Sequence, residues 1–333
     1  MSPLPKDFKN ELRAKANASL QRHFQSLEEE NRKIKYEPPS PEMLTDFASH
    51  LQCSNRILVL IGAGLSASSG IPTYRSARGF WGTYSDQQLA NKDAFEENPV
   101  LVWQFYNYKR QQAKTALPNP AHFALAELAK KKSGLLSVNQ NVDELCQRAG
   151  HPESQIHNLH GSLFRVRCLD DECGYEVAND DVPIISQLPV SEPPGVLESA
   201  DIDSHPHGCI IEDLPHCPQC QASLLRPAIV WFGEGLPETK VKQIDEWLRD
   251  GEAADSKVDL MMVIGTSAMV WPAAGYIGRA RKAGARVAFF NIEAKTAGVA
   301  KPEDSDWVFL GDAAKLIPQA FESVLRESEQ VER

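Results

Sequence analysis

The stretch Ile57-Leu58-Val59-Leu60-Ile61-Gly62-Ala63-Gly64-Leu65-Ser66-Ala67 decides the fold. Its first five residues are a continuous apolar run with no polar alternation, which reads as a strand buried on both faces of a parallel sheet. The next six fit the G-x-G-x-x-G/A pattern of a strand-to-helix turn that cradles a dinucleotide. Gly62 is expected to permit the tight turn and Gly64 to let the backbone approach a pyrophosphate, which then rests on helix N–H groups. Taken alone, the pattern also fits a glycine-rich turn without a ligand.

Similar apolar runs recur at Leu135–Val138, Leu260–Ile264, Val287–Phe290 and Val308–Leu310, with helical stretches such as Ala121–Lys131 between them. This alternation predicts an α/β fold, a Rossmann-like parallel sheet with helices on both faces. Upstream, Ser40 is placed to cap a helix with Pro41 at its first position, and Met43, Leu44, Phe47 and Leu51 give that helix an apolar face. Phe8, Leu12, Ala16, Leu20, Phe24 and Leu27 recur at helical spacing and predict an N-terminal helix before the Pro-rich break at 37–41. The segment 168–220, rich in Cys, Pro, Asp and Ser, interrupts the rhythm and reads as a small inserted domain.

The chain has 333 residues and a formal charge of −10, from 35 basic and 45 acidic side chains. That balance disfavours nucleic acid as a partner, because phosphates need a basic face. No apolar run reaches the ~18–20 residues of a membrane span, and no signal-peptide core follows Met1. Lys6, Lys9, Arg13, Lys15 and Arg22 fit a mitochondrial transit peptide, whereas Asp7 and Glu11 argue against one. In a reducing compartment, the spacing of the seven cysteines points to metal more than to disulfides. Cys168 and Cys173 pair, as do Cys217 and Cys220, and two thiolate pairs fit one closed, structural zinc site. His205, His207 and His216 lie close enough in sequence to remain alternative ligands. Cys53 and Cys209 read as free thiols.

A hydride-transferring dehydrogenase would place an acidic residue some 20 residues beyond the glycine turn. The sequence instead runs into Phe80, Trp81 and Tyr84, and its best ribose-binding carboxylate comes late, in Asn291-Ile292-Glu293.

Several motifs occur together: Gly62-Ala63-Gly64-Leu65-Ser66, Gly70-Ile71-Pro72-Thr73-Tyr74-Arg75, Gln140-Asn141-Val142-Asp143, His160-Gly161, the paired cysteines, Gly265-Thr266-Ser267 and Asn291-Ile292-Glu293. In this set and order the chain, over about residues 46–315, resembles the sirtuins. Val230-Trp231-Phe232-Gly233-Glu234, Leu89-Ala90 and Phe105-Tyr106-Asn107-Tyr108 resemble class III of that family, the group linked to removal of acidic acyl groups. The resemblance implies an NAD-dependent protein-lysine deacylase, with NAD consumed as co-substrate and one structural zinc. Nicotinamide, free lysine and O-acyl-ADP-ribose would be its products.

The resemblance also assigns roles. Asn141 and Asp143 would hold the nicotinamide carboxamide, which an amide and a carboxylate suit. Gln140 would reach the ribose, and His160 would act as general base, since an imidazole near pKa 6.5 suits proton abstraction at neutral pH. Ala67, Trp81, Val142 and Ala313 join the motif residues around the cofactor. Two residues depart from the family pattern: Asn139 replaces a Thr, and Cys146 replaces a His. Partners implied are acyl-lysine peptides or proteins, histones or metabolic enzymes among them, with neither nucleic acid nor membrane. Class resemblance implies mitochondria, with cytosol or nucleus as alternatives. The implied organisation is an extension and linker at 1–41 and a catalytic domain at 42–333. Within it, the cofactor part covers 42–80, 112–164 and 225–333, the zinc part 165–224, and a helical module 81–111.

The acyl group is less determined. Asn98-Pro99 opens a predicted helix in which Tyr106 and Lys109 share a face. Class III enzymes carry arginine at the second of these positions, and arginine grips a carboxylate with two parallel hydrogen bonds. Lys109 lacks that fork. Arg110 is a candidate substitute, and both charges also fit a solvated helix face. With Ala90 widening the pocket, the expectation is weakened selectivity for succinyl, malonyl or glutaryl, and neutral acyls such as crotonyl or acetyl remain in play. Val230 to Glu234 would bind the substrate backbone as an added strand. Alternative readings are an ADP-ribosyltransferase on the same scaffold, a non-catalytic zinc-ribbon interaction protein, and a hydride-transferring oxidoreductase.

Overall fold

The computed structural model describes residues 38–73, 80–81, 84–188, 190, 209–250, 257–268, 270–292 and 301–326. The predicted N-terminal helix, Tyr74, Arg75, His205, His207 and Glu293 lie outside the described residues, as does the side chain of Trp81. In chain order the elements are α1 (Pro41–Cys53), β1 (Ile57–Ile61), β2 (Phe80–Trp81), β3 (Tyr84–Ser85), α2 (Asp86–Leu89), α3 (Lys92–Glu97), α4 (Pro99–Thr115), α5 (Pro120–Lys131), β4 (Leu135–Asn139), α6 (Leu145–Arg148), β5 (Ile156–Asn158), β6 (Gly161–Cys168), β7 (Glu176–Ala178), β8 (Leu225–Ile229), α7 (Glu238–Asp250), β9 (Leu260–Ile264), α8 (Gly275–Lys282), β10 (Arg286–Asn291), β11 (Trp307–Leu310) and α9 (Ala313–Arg326).

The chain divides into two compact units. The first, residues 36–71, 115–162 and 235–333, is built on a six-stranded sheet in the order β11-β10-β9-β1-β4-β5, with parallel pairing throughout. Side chains alternate along β1, and the two faces bury into different cores. Ile57, Val59 and Ile61 pack with Phe47 and Leu51 of α1, Leu125 and Leu128 of α5, and Ile317 and Phe321 of α9. Leu58 and Leu60 pack with Ile244 and Leu248 of α7 and Tyr276 and Ile277 of α8. Burial on both sides explains why this strand carries no polar residue. From β1 the chain steps to β4 on one side and later returns to β9 on the other, so the strand order reverses at β1. In open α/β sheets, ligands bind beyond the carboxyl ends of the strands at such a reversal.

The helix starts follow local chemistry. Ser40 Oγ accepts from Met43 N–H at 3.1 Å, with Pro41 at the first helical position. Asn119 Oδ1 caps α5 by accepting from Ala121 N–H at 3.0 Å, again ahead of a proline. The expected helix after the glycine turn does not form. Two short 3₁₀ turns, Ala63–Leu65 and Ala67–Ser69, take its place, and Gly70, at φ +89°, ends the second in a left-handed conformation that suits glycine.

The second unit includes residues 72–114 and 163–234. Here α2, α3 and α4 accompany a three-stranded sheet in the order β7-β6-β8. Residues 72–73 and 225–234, expected with the cofactor part, group with this unit. For the second segment the reason is pairing: β8 joins the sheet of β6, Leu225 C=O accepts from Trp103 Nε1 at 3.1 Å, and Phe232 N–H donates to Ala90 C=O at 2.9 Å.

Candidate cofactor, acyl-group and zinc sites

The loops after β1 and β9 interlock at the strand reversal. Gly62 N–H donates to Ile264 C=O at 2.9 Å, and Gly64 N–H donates to Gly265 C=O at 2.8 Å. A Cβ on Gly64 would lie 2.6 Å from Gly265 Cα, and one on Gly265 would lie 2.4 Å from Leu65 N. A Cβ on Gly62 would lie 2.5 Å from Thr266 Cβ, yet its backbone, at φ −128° and ψ −178°, is extended and open to any residue. Loop-on-loop contact therefore requires these glycines, and the tight turn first read at Gly62 does not.

Beyond β4 lies a buried polar chain in the same unit. Asp143 accepts from Ser66 Oγ at 2.7 Å through Oδ2 and from Leu145 N–H at 2.9 Å through Oδ1. Burial raises its carboxyl above the usual range, against those two bonds. Ser66 Oγ, having given its hydrogen to Asp143, accepts from Asn141 Nδ2 at 3.2 Å. The other Asn141 amide hydrogen goes to Gly62 C=O at 3.1 Å. His122 completes the chain. Its Nδ1 accepts from Asn119 N–H at 3.2 Å, so its proton sits on Nε2, 3.4 Å from Ser66 Oγ. Burial brings this imidazole down to about 4, so it stays neutral.

His160 follows β5 in the same unit. Its Nδ1 lies 2.8 Å from Gln140 C=O, which can only accept, so the ring is protonated on Nδ1 and leaves Nε2 with a lone pair. Burial lowers its pKa below 6.5, partly offset by that bond. Gln140 Nε2 donates to Ile61 C=O at 3.1 Å and Thr266 Oγ1 at 3.3 Å, tying the ends of β1, β4 and β9 together. Asn291 Nδ2 donates to Thr266 C=O at 3.1 Å. Ala63, Ile71, Val142 and Ser267 are half-buried along these loops, Ala67 and Ile292 are exposed, and Ala313 is buried at the start of α9. Pro72 is half-buried and falls in the other unit.

Three polar residues escaped the sequence reading. Asn119 and His122 form an Asn-Pro-x-His helix start, and His122 falls on the apolar face of α5, where a polar side chain needs a partner. Asp312 accepts from Ser68 Oγ at 2.7 Å and caps α9 through Ala314 N–H.

In the other unit the expected acyl-group residues divide. Tyr106 is almost fully buried and its hydroxyl accepts from Trp231 Nε1 at 2.8 Å. The Trp231 indole is itself core, whereas the Phe232 side chain is exposed and those of Val230 and Glu234 are half-buried. Glu234 pairs with the buried Arg226 through both oxygens and accepts from Trp231 N–H at 2.8 Å, fixing the turn at Gly233, φ +91°. Arg110 is not a substitute for an acyl-binding arginine. It is fully buried and donates to Leu163 C=O, Asn179 C=O and Oδ1, and Asp181 C=O, so its charge holds the fold. Lys109 bonds to Asp86 at 3.0 Å.

The four cysteines converge. Cys168 and Cys220 sulfurs are 3.7 Å apart, as are those of Cys173 and Cys217, and all four lie within 4.8 Å of one another. Tetrahedral zinc at about 2.3 Å from each sulfur needs sulfurs about 3.8 Å apart, so the residues fit the ion. A disulfide would bring them to about 2.05 Å. Backbone N–H groups of Ala222 and Ser223 bring the Cys220 thiol down to about 6, towards the thiolate that a metal requires. His216 turns its Nδ1 to Leu214 C=O at 2.9 Å. Cys209 and Cys146 are buried thiols outside the cluster.

A doubly wound parallel sheet with a ligand edge at its strand reversal and a Cys₄ cluster defines a nucleotide-binding α/β protein with a structural metal. Residues 62–272 match the Sir2 family model. An NAD-dependent protein deacylase of Candida albicans is 38% identical over 85% of this chain and 98% of its own length. The mitochondrial NAD-dependent protein deacylase sirtuin-5 of Danio rerio is 36% identical over 86% and 88%. Among solved structures, a Sir2 homologue in complex with NAD aligns with a TM-score of 0.68 at 29% identity, over 89% of this chain and 97% of that one. A Sir2 homologue carrying 2′-O-acetyl ADP ribose aligns at 0.67 and 31%, over 87% and 98%. The chain belongs to the Sir2, or sirtuin, family.

Proposed function

We infer that this chain is an NAD-dependent protein-lysine deacylase that releases nicotinamide and transfers the acyl group to ADP-ribose. One observation carries the residue assignment. His160 is locked in the tautomer that bares Nε2, in the same unit as a polar chain that leaves Asn141 Oδ1 free to accept. With both its amide hydrogens committed to Gly62 and Ser66, Asn141 offers Oδ1 to the amide hydrogens of a carboxamide. Asp143 orients Ser66, and through it Asn141, and its remaining lone pairs can accept from the same carboxamide. Gln140 positions His160 through its carbonyl and reaches towards the ribose through its side chain. His160 Nε2 takes a proton from a ribose hydroxyl as the acyl group moves, and burial keeps that nitrogen unprotonated at neutral pH. NAD supplies the electrophilic ribose carbon. Cys168, Cys173, Cys217 and Cys220 would hold a zinc ion with a closed set of four thiolates, which would support the fold and not the chemistry.

The substrate is an acyl-lysine protein, read by the backbone of Val230–Glu234 with Ala90, Tyr106 and Lys109 at the acyl group. By resemblance to its sirtuin-5 relatives, the chain works in mitochondria. The test is mass spectrometry of acyl-lysine peptides incubated with NAD. O-acyl-ADP-ribose and free nicotinamide should appear, and His160→Tyr should lower turnover by about 10²–10⁴-fold, the usual contribution of a general base. Normal turnover by that variant removes the assigned base. ADP-ribosylated protein with its acyl-lysine intact would mean transfer instead.

A further inference from the structure

Asp86 opens α2, and its carbonyl accepts from Ala90 N–H at 2.8 Å, so it sits one turn from the small residue assigned to the acyl pocket. Its Oδ2 takes the Lys109 ammonium at 3.0 Å. Both side chains are mostly buried, 13% and 18% exposed, where a pair is screened far less than at the surface. The other oxygen, Oδ1, is buried without a hydrogen-bond partner. The Lys109 ammonium also lies 5.3 Å from the Phe105 ring. The capping box between Ser85 and Gln88 fixes the start of α2, so Asp86 is held in place by its own helix. Asp86 and Lys109 are 23 residues apart, and nothing in the sequence pairs them.

We propose that Asp86 determines acyl selectivity: it neutralises Lys109, so the enzyme prefers neutral acyl-lysines such as acetyl and crotonyl over succinyl, malonyl and glutaryl. This rests on the deacylase reading and on Lys109 facing the acyl group. An acyl carboxylate approaching Lys109 meets an ammonium that already holds one carboxylate a hydrogen bond away. It must share the cation and lie close to Asp86, and like charges confined in a partly buried site repel. A neutral chain meets a closed pair of no net charge and loses nothing. The absence of arginine's second bond at position 109 acts in the same direction.

The experiment measures kcat/KM for acetyl, crotonyl and succinyl forms of one peptide with the wild type and Asp86→Asn. The wild type should favour crotonyl over succinyl at least tenfold. Asp86→Asn should raise succinyl turnover about tenfold or more while acetyl changes less than threefold. Should Asp86→Asn fail to fold, Lys109→Arg and Asp86→Ser/Lys109→Arg give the same comparison, and the double variant should exceed the single on succinyl by a similar factor. A wild type that prefers succinyl, or a succinyl-to-acetyl ratio unmoved by removal of Asp86, overturns the proposal while leaving the deacylase intact. Failure of every acyl peptide, with no nicotinamide released, overturns the deacylase reading and this one with it.

Discussion

The two units use polar groups in opposite ways. In the cofactor unit, hydrogen bonds are organised so that a few atoms are left over: His160 Nε2 and Asn141 Oδ1 lie beyond the strand ends, each oriented by a partner on its other side. In the zinc-bearing unit most of the charged groups close on one another, with Asp86 Oδ1 left buried without a partner. Arg110 is taken up by carbonyls, Arg226 by Glu234, Lys109 by Asp86, and the four thiols converge on a point. The apolar clusters packed on either face of the large sheet lie in the cofactor unit. A unit with a large core can leave polar atoms for a ligand. A unit that leans on ion pairs and a metal uses those atoms to hold itself together.

Removing the metal should break this contrast most severely. Chelation, or Cys217→Ser, should take on the order of 10 kcal/mol from local folding. Limited proteolysis should then cut within residues 163–234 while the cofactor unit resists. Equal resistance with and without chelator would mean that the cysteines hold no structural ion. Next in size is the buried pair. Arg226→Ala leaves Glu234 to the more distant Arg167, 3.8 Å away, and removes the guanidinium stacked over Trp231 at 3.3 Å, a loss of about 3 kcal/mol. A denaturant midpoint unchanged in that variant would show that the pair contributes little.

The smallest expected effect lies in the cofactor unit and depends on pH. Burial lowers His122 to about 4 and also lowers His151 and His160. A depressed imidazole binds its proton more readily in the unfolded chain, so unfolding stability falls as pH drops from about 6.5 through about 4. His122 alone accounts for about 3 kcal/mol of that fall. Asp143, whose carboxyl is raised, works in the opposite sense. Urea midpoints at pH 7 and 4.5 should therefore differ more in the wild type than in His122→Asn, and an equal difference would refute the assignment. With His160 as the proposed base, active only when neutral, the acid limb of kcat/KM should likewise sit below 6.5.

Much of this was legible in the chain because it follows from local pattern. Apolar runs gave five strands of the large sheet, Ser40-Pro41 gave a helix start, and paired cysteine spacings gave the four-cysteine cluster. The glycines were found for a partly wrong reason. Their spacing signals a nucleotide turn, yet the contact that forbids a side chain at Gly64 comes from Gly265, some 200 residues away. Neighbouring charges were the hardest to read. Lys109 and Arg110 are adjacent on one helix, and either could have been solvated, structural or substrate-facing.

The sequence by itself determined five of the six strands of the large sheet, the pairing of the four clustered cysteines and the family, since periodicity and short motifs depend on residues near one another in the chain. Tertiary structure alone decided which lone pairs remain free and which charges are cancelled. The tautomer of His160 is set by the Gln140 carbonyl, the acceptor at Asn141 by Gly62 and Ser66, and the charge of Lys109 by Asp86. Each is a hydrogen bond between residues distant in sequence, and no spacing rule encodes such a partner until the chain has folded.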